Sequence, residues 1–163
     1  MDPSQDAGAA AQAIEGRLAW RQALRDLLLD PGPQLCLYSE DYADWPLDEA
    51  GVVEALTRWA LPRRRPCIRM LARDYSKLLA GSARFVRWRG DFAHILECRE
   101  IPPEIEAPAE GLWLRERALV ALPAQRERRA LLQTGRDWQA SLQVFEQAWD
   151  LGEPGFVPRA LGL

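Results

Sequence analysis

Two short polar clusters, each following an apolar run, hold the residues of this chain best suited to chemistry. Ser39-Glu40-Asp41 comes after Leu35-Cys36-Leu37-Tyr38, and Arg73-Asp74 comes after Cys67-Ile68-Arg69-Met70-Leu71. Ser39, Asp41, Arg73 and Asp74 are the candidate ligand-binding residues. Carboxylates so placed can hold a cation or act as acid and base, and an arginine can hold an anion. Ser and Asp after strands are also common turn formers and helix caps, so a purely structural role stands beside the functional one.

Other chemistries lack their parts. His94 is the single histidine, and no Gly-x-Ser-x-Gly elbow accompanies it, so no nucleophilic triad can be assembled. Gly-x-x-x-x-Gly-Lys-Ser/Thr and Gly-x-Gly-x-x-Gly are both absent, which removes the usual phosphate-cradling loops. Cys36, Cys67 and Cys98 are odd in number, far apart and set in apolar runs, and no Cys-x-x-Cys occurs. They read as reduced core thiols rather than zinc ligands or disulfides. No catalytic residue, metal or cofactor is assigned. Arg63-Arg64-Arg65 can be read as a phosphate site or as a solvated loop at a helix C-terminus, where the macrodipole favours cations.

The elements that position the two polar clusters follow from hydrophobic spacing. Val52, Val53, Leu56, Trp59 and Ala60 recur as one face of a helix between the two apolar runs, which makes a β-α-β unit. Its parallel strands need cover on both faces and put their following loops on one edge, where open α/β sheets bind ligands. Asp44 or Asp48 is the expected cap of the crossover helix, and Pro62 ends it. Upstream, Ile14, Leu18, Leu24, Leu27 and Leu28 predict a helix over 11–29, stopped by Asp30-Pro31-Gly32-Pro33. Downstream come short helices over 75–80 and around Phe85, Val86 and Trp88, then a strand over 93–101. A loop over 102–110 precedes a hairpin of 112–115 with 118–122, and a further strand is expected over 128–133. Trp138, Leu142, Phe145 and Trp149 lie on one face of a closing helix. The expected organisation is a tail at 1–10, a single α/β domain at 11–151 and a second tail at 152–163.

Bulk properties narrow the function classes. A chain of 163 residues with 48% hydrophobic content supports one buried core, as expected of a single domain. The net charge of -3 argues against a dedicated binder of duplex nucleic acid or anionic membrane. Lys77 is the only lysine among 21 basic residues, a bias that points to a GC-rich, bacterial coding sequence. No leader and no long uncharged apolar stretch is evident, so a cytoplasmic protein without a membrane partner is expected.

The order of elements resembles one half of a phospholipase D-like protein. The resemblance covers roughly residues 17–150: an N-terminal helix, a strand ending Leu37-Tyr38-Ser39, a crossover helix, a strand reading Ile68-Arg69-Met70-Leu71, an apolar hairpin, and a closing helix with Phe145-Glu146-Gln147-Ala148-Trp149. Active members of that family carry His-x-Lys-x-x-x-x-Asp just before the hairpin, and that spacing falls here on Pro108, Glu110 and Arg115. Started at His94 instead, it meets Leu96 and Ile101. The resemblance therefore implies a mixed sheet with helices on its faces but no phosphodiesterase activity. It also implies pairing of two halves, for which Trp45, Trp88 and Trp113 are the candidate interface residues, since aromatic side chains favour interface cores.

Three readings of function follow. The first is a non-catalytic α/β domain that binds a protein partner, a second copy of itself or a phosphate-bearing ligand. The second is a small enzyme of another class at the strand edge, acetyltransferase-like, with Arg87-Trp88-Arg89-Gly90 as a partial phosphate loop. The third is a single-stranded nucleic-acid module, which the seven tryptophans and the arginines at 84, 87 and 89 would serve.

Overall fold

The structure is a computed structural model that describes residues 12–123 and 126–157. Its elements run β1 (Gln12–Glu15), α1 (Arg17–Leu29), β2 (Leu35–Ser39), α2 (Ala50–Ala60), β3 (Ile68–Ala72), α3 (Ser76–Gly81) and α4 (Ala83–Asp91). After these come β4 (Leu96–Glu100), β5 (Gly111–Trp113), β6 (Arg117–Ala121), β7 (Arg129–Thr134), α5 (Gly135–Asp150) and β8 (Glu153–Pro154). All strands join one sheet in the order β1-β7-β6-β5-β2-β3-β4-β8. β2, β3 and β4 are parallel and every other pair is antiparallel.

Alternation along the central strands builds two cores. Leu35 and Leu37 of β2 and Ile68 and Met70 of β3 face α1, α2 and α4, packing with Trp20, Leu24, Leu56, Phe85 and Trp88. Cys36, Tyr38 and Leu71 point the other way, onto Phe145 and Trp149 of α5. Both faces are covered, which is why β2 is buried at all five positions and reads as an unbroken apolar run. The single-domain mixed α/β architecture expected from the sequence is thus the observed one. Leu56 and Phe145 do pack over the sheet, on opposite faces.

Several local expectations are corrected. The predicted helix over 11–29 is two elements: Gln12–Glu15 is an edge strand paired with β7, and α1 begins only after Gly16, whose φ of 90° turns the chain. Ile14 and Leu18 are four apart and mimic a helical face, yet Ile14 stands opposite Ala130 in the sheet while Leu18 is 85% exposed. Neither Asp44 nor Asp48 caps α2, whose N-terminal flanking residue is Glu49. Asp48 instead accepts a hydrogen bond from the Phe85 N–H in the first turn of α4 (3.0 Å). The C-terminal segment does not trail away at 152, because β8 pairs with β4 and Phe156 is buried in the first core. The tail expected at 1–10 lies outside the described residues, as do positions 158–163.

Candidate functional site

The parallel strands end together, Ser39 beside Ala72 beside Glu100, and the loops that follow share one edge of the sheet. Register then separates the four candidate residues. Since Ser39 pairs with Ala72, Arg73 is one residue further along and faces the opposite side of the sheet. Arg73 uses its guanidinium to tie down the following loop, donating to the carbonyls of Pro102 (2.9 Å) and Ile105 (2.8 Å). Its backbone N–H and that of Asp74 both bond to the Glu40 carbonyl at 3.1 Å.

Asp41 and Asp74 shape turns. Asp41 accepts the Ala43 N–H at 3.0 Å and the Lys77 ammonium at 2.9 Å, while Asp74 accepts the Ser76 N–H at 2.8 Å as α3 begins. Slight burial pushes the Asp41 carboxyl up, but the hydrogen bonds from Lys77 and Ala43 outweigh it and hold the group below its ordinary value. The Ser76 contacts lower Asp74 similarly. Among the described residues no three His, Cys, Asp or Glu side chains are grouped to hold a metal ion.

Ser39 turns inward and is 1% exposed. Its hydroxyl accepts the Tyr42 N–H (2.9 Å) and donates to Glu110 (2.5 Å), which antiparallel pairing of β5 with β2 has brought across the sheet. The indole N–H of Trp45 donates to the same carboxylate oxygen (2.9 Å), and Arg128, from the strand β7 side, pairs with the other. Arg128 also lies 3.6 Å from Asp44, stacks over the Trp20 ring at 4.7 Å, and shares Asp44 with Arg17 of α1 (2.6 Å). The next residue, Gly111, packs so closely that any Cβ would stand 2.8 Å from the Leu119 carbonyl. The result is a carboxylate whose two oxygens serve three donors, with 17% of the side chain exposed. Oε2 takes two of these donors and Oε1 one, so most of the carboxylate's acceptor capacity is used within the fold.

The remaining expectations meet the structure as follows. Trp45, Trp88 and Trp113 are 5%, 3% and 2% exposed within the monomer, so they complete its own cores and offer no face to a partner. Of the seven tryptophans five are buried and two, Trp59 and Trp138, are half-buried. Arg87 to Gly90 lie within α4 and form no phosphate loop after a strand. His94 is exposed just before β4, beside the Phe92 ring. Arg63 stacks on Trp59 at 3.9 Å and donates to the Trp59 and Gly32 carbonyls at the end of α2, the helix-terminal role. Arg128 and Asp44 as members of the Glu110 network carried no signal in the sequence.

This arrangement, a mixed sheet with helices on both faces and a polar centre at the ends of the parallel strands, is the fold of phospholipase D-like proteins. It is similar to Nuc from Salmonella typhimurium, a phospholipase D family member, with a TM-score of 0.58 and 11% identity over 90% of this chain and 97% of Nuc. It is also similar to TrmBL2, an archaeal chromatin protein with a described mode of DNA binding, with a TM-score of 0.66 and 13% identity over 89% of this chain. The chain spans about half, 54%, of TrmBL2. Residues 17–161 match the model of a domain of unknown function, DUF7931, and the chain belongs to that family. Comparison with the curated proteins finds no match. No helix among the described residues is long and apolar enough to cross a membrane.

Proposed function

We propose that this chain is a phospholipase D-like half that works by binding and does not turn over phosphodiesters. Glu110 carries the reading. It stands where the motif spacing puts the family's phosphate-neutralising lysine, and it sits at the strand edge bonded to Ser39, Trp45 and Arg128. A phosphodiester brought to this edge would find a carboxylate at that position, and the nearby cations Arg128, Arg17 and Lys77 are already engaged by Glu110, Asp44 and Asp41. Its binding partner is then a protein, and closed pairing with a second copy is the first candidate, by the frequency of twofold assemblies and by the family resemblance. Purified protein should show no hydrolysis of bis(4-nitrophenyl) phosphate, and light scattering should give the mass of two chains. Hydrolysis that disappears in His94→Ala would overturn the non-catalytic reading, and a one-chain mass at micromolar concentration would remove the pairing.

A second reading, contact with DNA, is supported by the likeness to TrmBL2 and by Arg84 and Arg87, which lie exposed beside a shallow apolar groove between α2 and α4. The net charge of -3 opposes it. Fluorescence anisotropy of a labelled duplex at low salt decides. Binding that is lost in the double substitution Arg84→Glu, Arg87→Glu would favour DNA, and no binding would remove this reading.

A further inference from the structure

Among the described residues, one charged side chain away from the strand edge has no counter-charge. Arg89, in the last turn of α4, is 5% exposed. Its Nε donates to the Phe156 carbonyl at 3.3 Å, and the guanidinium carbon lies 5.7 Å from the Phe156 ring centre. Nη1 is buried and has no hydrogen-bond partner among the described residues. No ion pair found among them includes Arg89. The Cys98 thiol beside it supplies no counter-charge, since burial pushes that thiol up to about 12 and leaves it uncharged although Arg89 lies against it. Placing a guanidinium out of water with neither an anion nor a full set of acceptors is costly, so its persistence asks for an anion.

The same guanidinium lines a recess of about 350 Å³ at the outer edge of the sheet, with Pro66, Leu96, Pro154 and Val157 among its walls and His94 beside them. That volume falls within the range of small-molecule sites, and a mostly apolar wall with a few polar groups is their usual chemistry. Glu97 also borders the recess, but β4 alternation turns it to the face opposite Cys98, where it pairs with Arg99 at 3.1 Å.

We propose that Arg89 and this recess bind a small monocarboxylate with an apolar body, its carboxylate paired with the Arg89 guanidinium and its hydrocarbon against Pro66, Leu96 and Val157. A planar monoanion suits one guanidinium edge. A phosphate dianion would require more donors than Arg89 offers. The site is separate from the Glu110 edge, and the inference does not depend on the binding role proposed there.

Titration of the purified chain with benzoate, benzamide and inorganic phosphate, followed by calorimetry and by side-chain arginine NMR signals, tests it. Benzoate should bind and shift the Arg89 signals, the neutral benzamide should not, and Arg89→Met should weaken benzoate by about tenfold or more. A second variant, Ala93→Trp, keeps Arg89 and places an indole on the wall of the recess. It should weaken benzoate too, which keeps the test decisive should Arg89→Met fold poorly. No benzoate binding, equal binding of benzamide, preference for phosphate, or affinity unchanged in the variants would each overturn the proposal.

Discussion

Glu110 and Arg89 are both charged residues drawn largely out of water, and the fold treats them in opposite ways. Glu110 receives a serine hydroxyl, an indole N–H and a guanidinium, each from a different part of the chain. Arg89 receives one backbone carbonyl and the edge of a recess. A saturated group fixes the geometry of its surroundings, because any displacement breaks several bonds at once. An unsaturated one stores an unmet interaction that a ligand can complete. On the roles proposed above, the strand edge is architecture and the outer edge of the sheet is the place for recognition.

Substitutions can break or sharpen this contrast. The largest effect is expected from Glu110→Ala, which strands Arg128, Ser39 and Trp45 together. It should cost about 3 kcal/mol in urea unfolding, the low end for removing one partner of a buried pair, because Glu110 keeps some exposure. A loss under about 1 kcal/mol would show that water replaces the carboxylate easily. Ser39→Ala should cost about 2 kcal/mol, since it removes a hydrogen bond to a charged group and leaves the Tyr42 N–H without its acceptor. An unchanged urea midpoint would remove Ser39 from the network.

The smallest effect belongs to the exposed pair on the neighbouring loop. Asp41→Asn should cost no more than about 0.5 kcal/mol, because water screens the Lys77 contact. Its pH dependence is specific. The Asp41 carboxyl is lowered in the folded state, so its contribution is present above its unfolded value near 4 and is lost as pH falls through the folded value. The Lys77 ammonium is raised, so its contribution is present below about 10.5 and is lost as pH rises through the folded value. The gap in stability between the protein and Asp41→Asn should therefore be flat across neutral pH and close at both ends. A gap that widens in acid would contradict the pairing.

The parts of the fold that are legible in the sequence are those whose signal is local. The apolar runs around Leu37 and Met70, the helical spacing of Val52, Leu56 and Ala60, and the stripe from Trp138 to Trp149 each repeat at a period their own element imposes. The edge strands at 12–15 and 153–154 are short and take their identity from partners distant in sequence, so local pattern alone reads one as helix and the other as a tail. The β-α-β pattern puts the residues after β2 and β3 at one edge, but the register that turns Ser39 and Arg73 to opposite faces belongs to the sheet. Ser39 and Glu110 meet across 71 residues, a distance no periodicity spans. Arg89 did leave a trace. With Phe85 and Trp88 it occupies the i, i+3, i+4 positions of a buried face, while Arg84 and Arg87 lie off that face and are exposed.

The most direct measurement compares the two charges side by side, by urea unfolding of Glu110→Ala and Arg89→Met without added ligand. Removing a satisfied charge should destabilise the protein. Replacing an unsatisfied buried cation by an apolar chain of similar length should leave it as stable or raise it by about 1 kcal/mol. Opposite signs, or a loss confined to Glu110→Ala, are the predicted result, and a loss of similar size in both variants would contradict the assignment of architecture to one site and recognition to the other.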